Sequence, residues 1–288
     1  MTALLWLGPL GLAALAAVVL IAMAVRGLPA VQDYMTTYPG ESELPAGAPV
    51  GFPAWLGWQH FLNSFFLLLI IRTGWQIRTT TRPAAFWTRK KTRISLTAWL
   101  HLSLDLLWVI NGVVFVVLLF VTGQWLRIVP TSWDVFPNAI SVAIQYASLD
   151  WPTENGWVNY NALQLLAYFV TVFIATPLAI VTGIRMSPLW EQRLSRLDRF
   201  YPVTIARAIH FPVMIYFVLF TIAHVGLVLA TGALRNLNHM YAGRDDGSWV
   251  GFGIFGASLL VMIAAWLLAK PHFLQPIAAL SGNVTKGR

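Results

Sequence analysis

Runs of about twenty apolar residues recur along this chain, and each is long enough to cross the ~30 Å hydrocarbon layer of a bilayer as a helix. Six stand out, at roughly 4–25, 57–77, 97–125, 161–184, 204–231 and 250–269. Hydrocarbon offers backbone N–H and C=O groups no partner, so a spanning chain must be helical or a closed barrel. The period-two alternation of barrel strands is missing. Composition agrees with helices in lipid. The chain is 58% hydrophobic, with mean hydropathy +0.67 and only 10% charged residues, where a soluble domain carries about a quarter. The expected fold is therefore an all-α membrane protein with six transmembrane helices. The first run ends in Ala22-Met23-Ala24, which mimics a signal cleavage site. It lacks a basic leader and is long, so it is read as a retained helix.

Lysine and arginine orient the bundle. The connection between spans two and three carries Arg72, Arg78, Arg82, Arg89, Lys90, Lys91 and Arg93. The connection between spans four and five carries Arg185, Arg193, Arg196, Arg199 and Arg207, and the tail adds Lys270, Lys286 and Arg288. Only Glu191 and Asp198 oppose them. On the other face Arg26, Arg127, Arg235 and Arg244 meet Asp33, Glu41, Glu43, Asp134, Asp150, Glu154, Asp245 and Asp246. The net charge of +8 is thus a topology signal rather than a nucleic-acid footprint. Both termini are expected in the cytoplasm, with the loops at about 26–56, 126–160 and 232–249 outside. The outer segment from Pro130 to Tyr160 is rich in Trp and Tyr, and about Val135 to Tyr146 is expected as a short helix in the interface.

There is no cysteine, which excludes Cys-ligated iron–sulfur clusters, c-type haem attachment and disulfides. Any redox metal must sit on other side chains. Four of the six histidines fall inside spans: His60, His101, His210 and His224. The alternating direction of the spans puts His60 and His224 near the outer face and His101 and His210 near the inner face. His210 and His224 are 14 residues apart, about 21 Å of helical rise, and project to nearly the same side of one helix. The expected arrangement is two stacked pairs, His60 with His224 and His101 with His210. Paired imidazoles without cysteine suit two low-spin, electron-transferring b-type haems. Zinc is the rival, but it wants a compact closed ligand set around one point.

Asp105 lies one turn beyond His101, where an intramembrane carboxylate marks a functional position. It either orients an imidazole, exchanges a proton with a quinone, or pairs with Arg207 or Arg72. Asn63, Ser64 and Asn111 read as helix–helix contacts, and Pro212 is expected to kink span five and make room for a ring. Thr-Gly recurs at four span ends, as Thr73-Gly74, Thr122-Gly123, Thr182-Gly183 and Thr231-Gly232, each followed by an arginine: Arg78, Arg127, Arg185 or Arg235. One reading is a helix end with a snorkelling arginine. The other is close approach of a macrocycle to glycine, with arginine on a propionate. Candidates for that packing or propionate role are Arg72, Arg127, Arg207, Arg235, Gly74 and Gly123; Asp105, Trp75 and Trp99 with Arg72 are candidates for a quinone site. Gly251-x-Gly253-x-x-Gly256 matches a dinucleotide fingerprint but opens an apolar span with no strand before it, so close helix packing explains it better.

These segments resemble the prokaryotic cytochrome b561 superfamily of di-haem membrane subunits, among them the b-type subunits of nickel–iron hydrogenases and formate dehydrogenases. The resemblance rests on His60-Phe61-Leu62-Asn63 through Arg72-Thr73-Gly74, the His101 helix, and Arg207-Ala208-Ile209-His210 through Ala223-His224. From Leu126 to Met186 the chain is also similar to cytochrome b/b6-domain proteins that accompany molybdopterin oxidoreductases. The resemblance implies a four-helix di-haem core at 57–232, flanked by a first helix and loop at 1–56 and a last helix and tail at 233–288. Two haem b would sit on His60, His101, His210 and His224. Electrons would pass between menaquinone or ubiquinone and an extracytoplasmic redox subunit, in the inner membrane of a bacterium. The alternative kept open by the residues alone is a proton-coupled transporter with a His/Asp relay.

Overall fold

The computed structural model describes residues 2–151 and 155–287, with side chains from residue 8 onward. Glu154 and Arg288 of the charge pattern lie outside the described residues. The helices and strands are α1 (Thr2–Arg26), α2 (Pro29–Thr37), α3 (Ala54–Thr79), β1 (Ala85–Arg89), β2 (Thr92–Ser95), α4 (Leu96–Val121), α5 (Val135–Ala147) and α6 (Ala162–Val170). They continue with α7 (Thr176–Met186), α8 (Pro188–Arg193), α9 (Val203–Ala230), α10 (Ala233–Leu237), α11 (Val250–Leu268), α12 (Pro271–Ala279) and β3 (Asn283–Lys286). Among the described residues six helices are long and apolar enough to cross a membrane: Gly8–Arg26, Ala54–Thr79, Leu96–Val121, Ala162–Met186, Val203–Ala230 and Val250–Leu268. The chain is an all-α, multi-pass membrane protein.

One of these spans contains an interruption the sequence invites. The span Ala162–Met186 is α6 and α7 joined by a π-turn at Thr171–Ala175. Pro177 has no N–H for the carbonyl four residues earlier, and a widened turn at that place accommodates the gap. Pro212 also lies inside a span, yet α9 stays a helix through it from Val203 to Ala230.

The chain packs as two compact units, Met1–Gly51 with Phe120–Thr171, and Phe52–Leu119 with Val172–Arg288. This differs from the division at 56 and 232. In the first unit α1 packs on α5, and a core of Val135, Ala139, Ala162 and Leu165 joins α5 to α6. Arg26 closes that unit from α1, pairing Asp150 at 2.6 Å and donating to Ser148. The expected helix at 135–146 is α5; it buries Val135, Asn138, Ala139, Ser141 and Val142 while Phe136 and Ile140, together with the preceding Trp133, form an exposed apolar side.

In the second unit α7 packs along α9, whereas the backbones of α3, α4 and α9 stay apart and are bridged by side chains. The core there is Trp108, Ala175, Val213 and Phe217. Asn63 and Trp108 link α3 to α4 by a 2.6 Å hydrogen bond, as expected of Asn63, whereas Ser64 donates to the His60 carbonyl of its own helix. Asn111 is buried on α4.

A three-stranded antiparallel sheet of order β2-β1-β3 was not anticipated in the basic connection. β1 and β2 form a hairpin pairing Phe86 with Ser95 and Arg89 with Thr92, and its turn places Lys90 in the left-handed region at φ +52°. The chain's tail returns as β3 to pair Phe86 with Thr285. Gln192, after α7, donates to Thr92 of the same sheet. The three basic segments therefore meet at one end of this unit. At the other end the 238–242 turn packs against α3.

The 238–242 turn explains one glycine. Asn238 is fully buried; its Nδ2 donates to the Asp246 and Ser248 carbonyls, and its Oδ1 accepts from the Gly251 N–H at 2.6 Å. A Cβ on Gly251 would come within 2.5 Å of the Leu237 carbonyl carbon and oxygen, whereas one on Gly253 or Gly256 meets nothing within 4 Å. The apparent nucleotide fingerprint is thus one close backbone approach plus two open positions. Gly251→Ala is expected to destabilise the folded protein by about 1–3 kcal/mol, while Gly253→Ala is neutral or stabilising, since alanine is the better helix former. Thermal unfolding in detergent checks this; equal melting temperatures for the two variants would refute the packing argument.

Candidate functional site: two histidine pairs

α3 and α9 bring His60 and His224 together with ring centroids 6.3 Å apart and planes inclined at 53°. Two imidazole–metal bonds of about 2 Å, plus the distance from each nitrogen to its ring centre, require a centroid separation of about 6 Å. His60 and His224 therefore stand at the spacing that two axial ligands of one metal need. Tyr241 lies edge-on to His60 at 5.9 Å, and Phe220 stacks on His224 at 5.5 Å. The Nδ1 atom of His60 is buried without a hydrogen-bond partner.

His101, on α4, and His210, on α9, lie toward the end of the unit that carries the sheet. Here each imidazole is held by a threonine. Thr73 Oγ1 lies 2.8 Å from His101 Nδ1, and Thr182 Oγ1 lies 2.7 Å from His210 Nδ1. Each hydroxyl also donates to a carbonyl one turn back on its own helix, Leu69 at 2.8 Å and Leu178 at 2.6 Å. A hydroxyl has one proton; with that proton on the carbonyl, its oxygen accepts from the imidazole Nδ1–H. The neutral imidazole then presents Nε2 as a lone pair. This is the orientation and tautomer that a metal-ligating histidine needs.

The glycines after these threonines make room for the rings. A Cβ on Gly74 would lie 3.3 Å from His101 Cε1, and one on Gly183 would lie 3.7 Å from His210 Cε1. It is an imidazole that approaches each glycine. The two other copies of the motif are helix ends: Gly123, in the left-handed region at φ +74°, precedes the short 3-10 turn Gln124–Arg127, and Thr231 closes α9 by donating to the Leu227 carbonyl. Threonine and histidine are separated by 28 residues in both inner cases; the same step from Thr122 and Thr231 reaches Asp150 and Leu259. That recurring offset was the sequence signal for the threonines, and it had no meaning before the helices were packed.

Among the described residues no group of three or more His, Cys, Asp or Glu side chains is placed to hold a metal ion. Haem does fit the residues present: paired imidazoles, a threonine-fixed tautomer at one pair, an unpartnered buried nitrogen at the other, and helices α3, α4 and α9 kept apart.

The other expected site residues are placed as follows. Asp105 Oδ2 lies 3.6 Å from His101 Nε2, and neither Arg72 nor Arg207 pairs with it. Arg72 instead donates to the Trp266 carbonyl at 2.6 Å and stacks over that indole. Arg207 is exposed, one turn before His210 on α9. Trp75 is exposed on α3, whereas Trp99 packs against the cluster of Ala85, Leu96 and Ala278 beneath the sheet. Arg127 is almost wholly buried, at 1% exposure; its guanidinium donates to the Gly51 carbonyl at 2.8 Å and to those of Gly156 and Trp157, and packs over Tyr160. Its observed role is to tie together backbone segments of the first unit rather than to present a free guanidinium to a propionate. Arg235 is likewise engaged, by Asp245 at 2.6 and 3.0 Å.

Asp245 belongs to a cluster that the sequence did not mark. His239 is buried, stacks on Phe52, and bonds Asp245 Oδ1 through Nε2 at 2.7 Å. The Arg235 guanidinium and then His239 hold the Asp245 carboxyl down at about 2. His272 is exposed on α12 beside Phe273.

Fold and site define a multi-pass membrane protein with two histidine pairs at opposite ends of one helical unit. No family model, curated protein or solved structure matches the chain.

The low value at Asp245 fixes the sign of an acid effect. A carboxyl lower in the folded than in the unfolded state stabilises above its ordinary value of about 4 and loses that contribution as pH falls. The stability difference between the native chain and Asp245→Asn is therefore expected to be full at pH 7 and to close as pH falls from about 4 to about 2. Paired melting curves across that range measure it, and a difference that does not vary with pH would contradict the assignment.

Proposed function

We propose that the chain is a di-haem b-type cytochrome of the bacterial inner membrane, with both termini cytoplasmic. It carries electrons across the membrane between a quinone pool and an extracytoplasmic redox subunit. The observation that carries this reading is the 6.3 Å approach of His60 to His224, paired at the other end by two imidazoles whose Nδ1 atoms are fixed by Thr73 and Thr182. A haem bound at each pair supplies a one-electron couple whose potential follows from its axial ligands and surroundings. The protein's share is ligation and orientation. His60 and His224 would hold one haem, and His101 and His210 the other. His210 and His224 lie on the same helix, about 21 Å apart along its axis. Arg207, exposed one turn from His210, is the arginine best left free to meet a propionate. The meeting of the three basic segments at one end supports the cytoplasmic side there. The resemblance to the cytochrome b561 superfamily supplies the quinone and the partner subunit.

Purified full-length protein is expected to show reducible b-type absorption at about two haems per chain. His60→Ala and His224→Ala should each remove the same haem, and His101→Ala and His210→Ala the other; loss of one haem shared by His60→Ala and His101→Ala would break the pairing. A colourless but folded protein from haem-replete cells would end the reading.

Thr73→Val and Thr182→Val keep the side-chain shape but lose the acceptor. Each is expected to weaken haem retention at the inner pair by about 10–100-fold, while Thr→Ser restores it. Haem content and the midpoint potential of the inner centre report the change, and an unchanged potential would show that the hydroxyls do not act on the imidazoles.

A second reading, a proton-coupled transporter, is favoured by Asp105 standing beside His101 without an arginine partner. Proton flux in liposomes without any redox couple separates the two.

A further inference from the structure

At the basic end the sheet borders an open cavity of about 690 Å³ lined by Thr81, Arg82, Pro83, Phe86, Arg93 and Thr285, with Lys286 at its edge strand. Pockets that hold small molecules have volumes of this order. The two strands of the hairpin contribute, together with the returning tail, distant in sequence, which pairs Ala85 with Lys286 and Phe86 with Thr285. The lining carries three cations and two hydroxyls and no carboxylate. None of Arg82, Arg93 and Lys286 forms an ion pair among the described residues; the Arg93 guanidinium packs over the Phe86 ring at 4.3 Å, which fixes its plane at the cavity wall. The C-terminal end of α3 lies nearby at Thr79, but a helix terminus contributes only about half a negative charge, which three full positive charges outweigh.

We propose that this cavity binds a phosphate-bearing anion. Guanidinium groups match phosphate oxygens with paired donors, lysine adds a point charge, and threonine hydroxyls complete the oxygens' hydrogen bonds. Two sources share that chemistry, an anionic phospholipid headgroup and a soluble phosphate compound. The position at the ends of α3 and α4, with Trp75 exposed on the last turns of α3, suits the headgroup layer, where indoles gather and clustered basic residues attract anionic lipid. The inference does not depend on haem.

The test uses the full-length protein in detergent. Native mass spectrometry follows retention of phosphatidylglycerol against phosphatidylcholine, and calorimetry follows inorganic pyrophosphate. The triple variant Arg82→Gln/Arg93→Gln/Lys286→Gln removes the cavity's charges. A control, Arg89→Gln/Lys90→Gln/Lys91→Gln, removes equal charge from the adjoining hairpin. The single variant Lys286→Gln changes only an exposed residue of the edge strand, so it tests the cavity even where the triple variant disturbs the hairpin. The native chain and the control are expected to retain the anion, the triple variant to bind it about tenfold or more weakly, and Lys286→Gln to fall between. Selective retention of phosphatidylglycerol without pyrophosphate binding assigns the site to lipid; pyrophosphate binding without lipid preference assigns it to a soluble phosphate. Equal loss in the cavity and hairpin variants, or no binding of either probe by the native chain, overturns the proposal.

Discussion

Inside an apolar helix bundle a polar group must be satisfied by protein, because hydrocarbon has neither donors nor acceptors to offer. Most of the polar side chains along these spans obey this locally. Thr73, Ser103, Thr171, Thr182, Thr221 and Ser258 each donate to the carbonyl one turn back on their own helix. Asn63 and Trp108 satisfy one another between α3 and α4. Thr73 and Thr182 do more than satisfy themselves. Their protons are committed to carbonyls, so their oxygens are left to accept from His101 and His210. The histidines could not be held this way by a residue that was free to reverse its hydrogen bond.

The two ends of the helical unit meet the same constraint differently. His101 and His210 have hydroxyl partners and glycine beside their rings. At the His60–His224 pair the buried Nδ1 of His60 and the Oε1 of its neighbour Gln59 have no hydrogen-bond partner. An unpaired buried polar atom costs about 1–3 kcal/mol. It stands here beside the 6.3 Å approach of His60 to His224.

Outside the spans, charge is used for locking as well as for orientation. Arg127 gives its donors to three carbonyls of the first unit. Arg235, Asp245 and His239 brace the turn that packs against α3. Asn238 does the same with neutral groups. At the opposite end Arg82, Arg93 and Lys286, beside the sheet, form no ion pair among the described residues.

Much of this protein was legible in its residues. Apolar runs marked all six spans, because lipid leaves the backbone no alternative to a helix. The arithmetic of helical rise placed His210 and His224 on one side of α9. The basic segments belonged together by their charge, and Gln192 and β3 do meet the hairpin. What the sequence by itself could not decide were matters of contact between distant segments. Arg127 and Arg235 read as free cations near span ends, yet each is consumed by acceptors from residues about ten or more positions away. The third strand was hidden because it lies in the tail, nearly two hundred residues from its partner β1. The four Thr-Gly pairs are identical as text; only the tertiary structure sets Thr73 of α3 against His101 of α4 and Thr182 of α7 against His210 of α9, and leaves the others as helix ends. A hydrogen bond is specified by two positions in space, and one-dimensional spacing names only one of them.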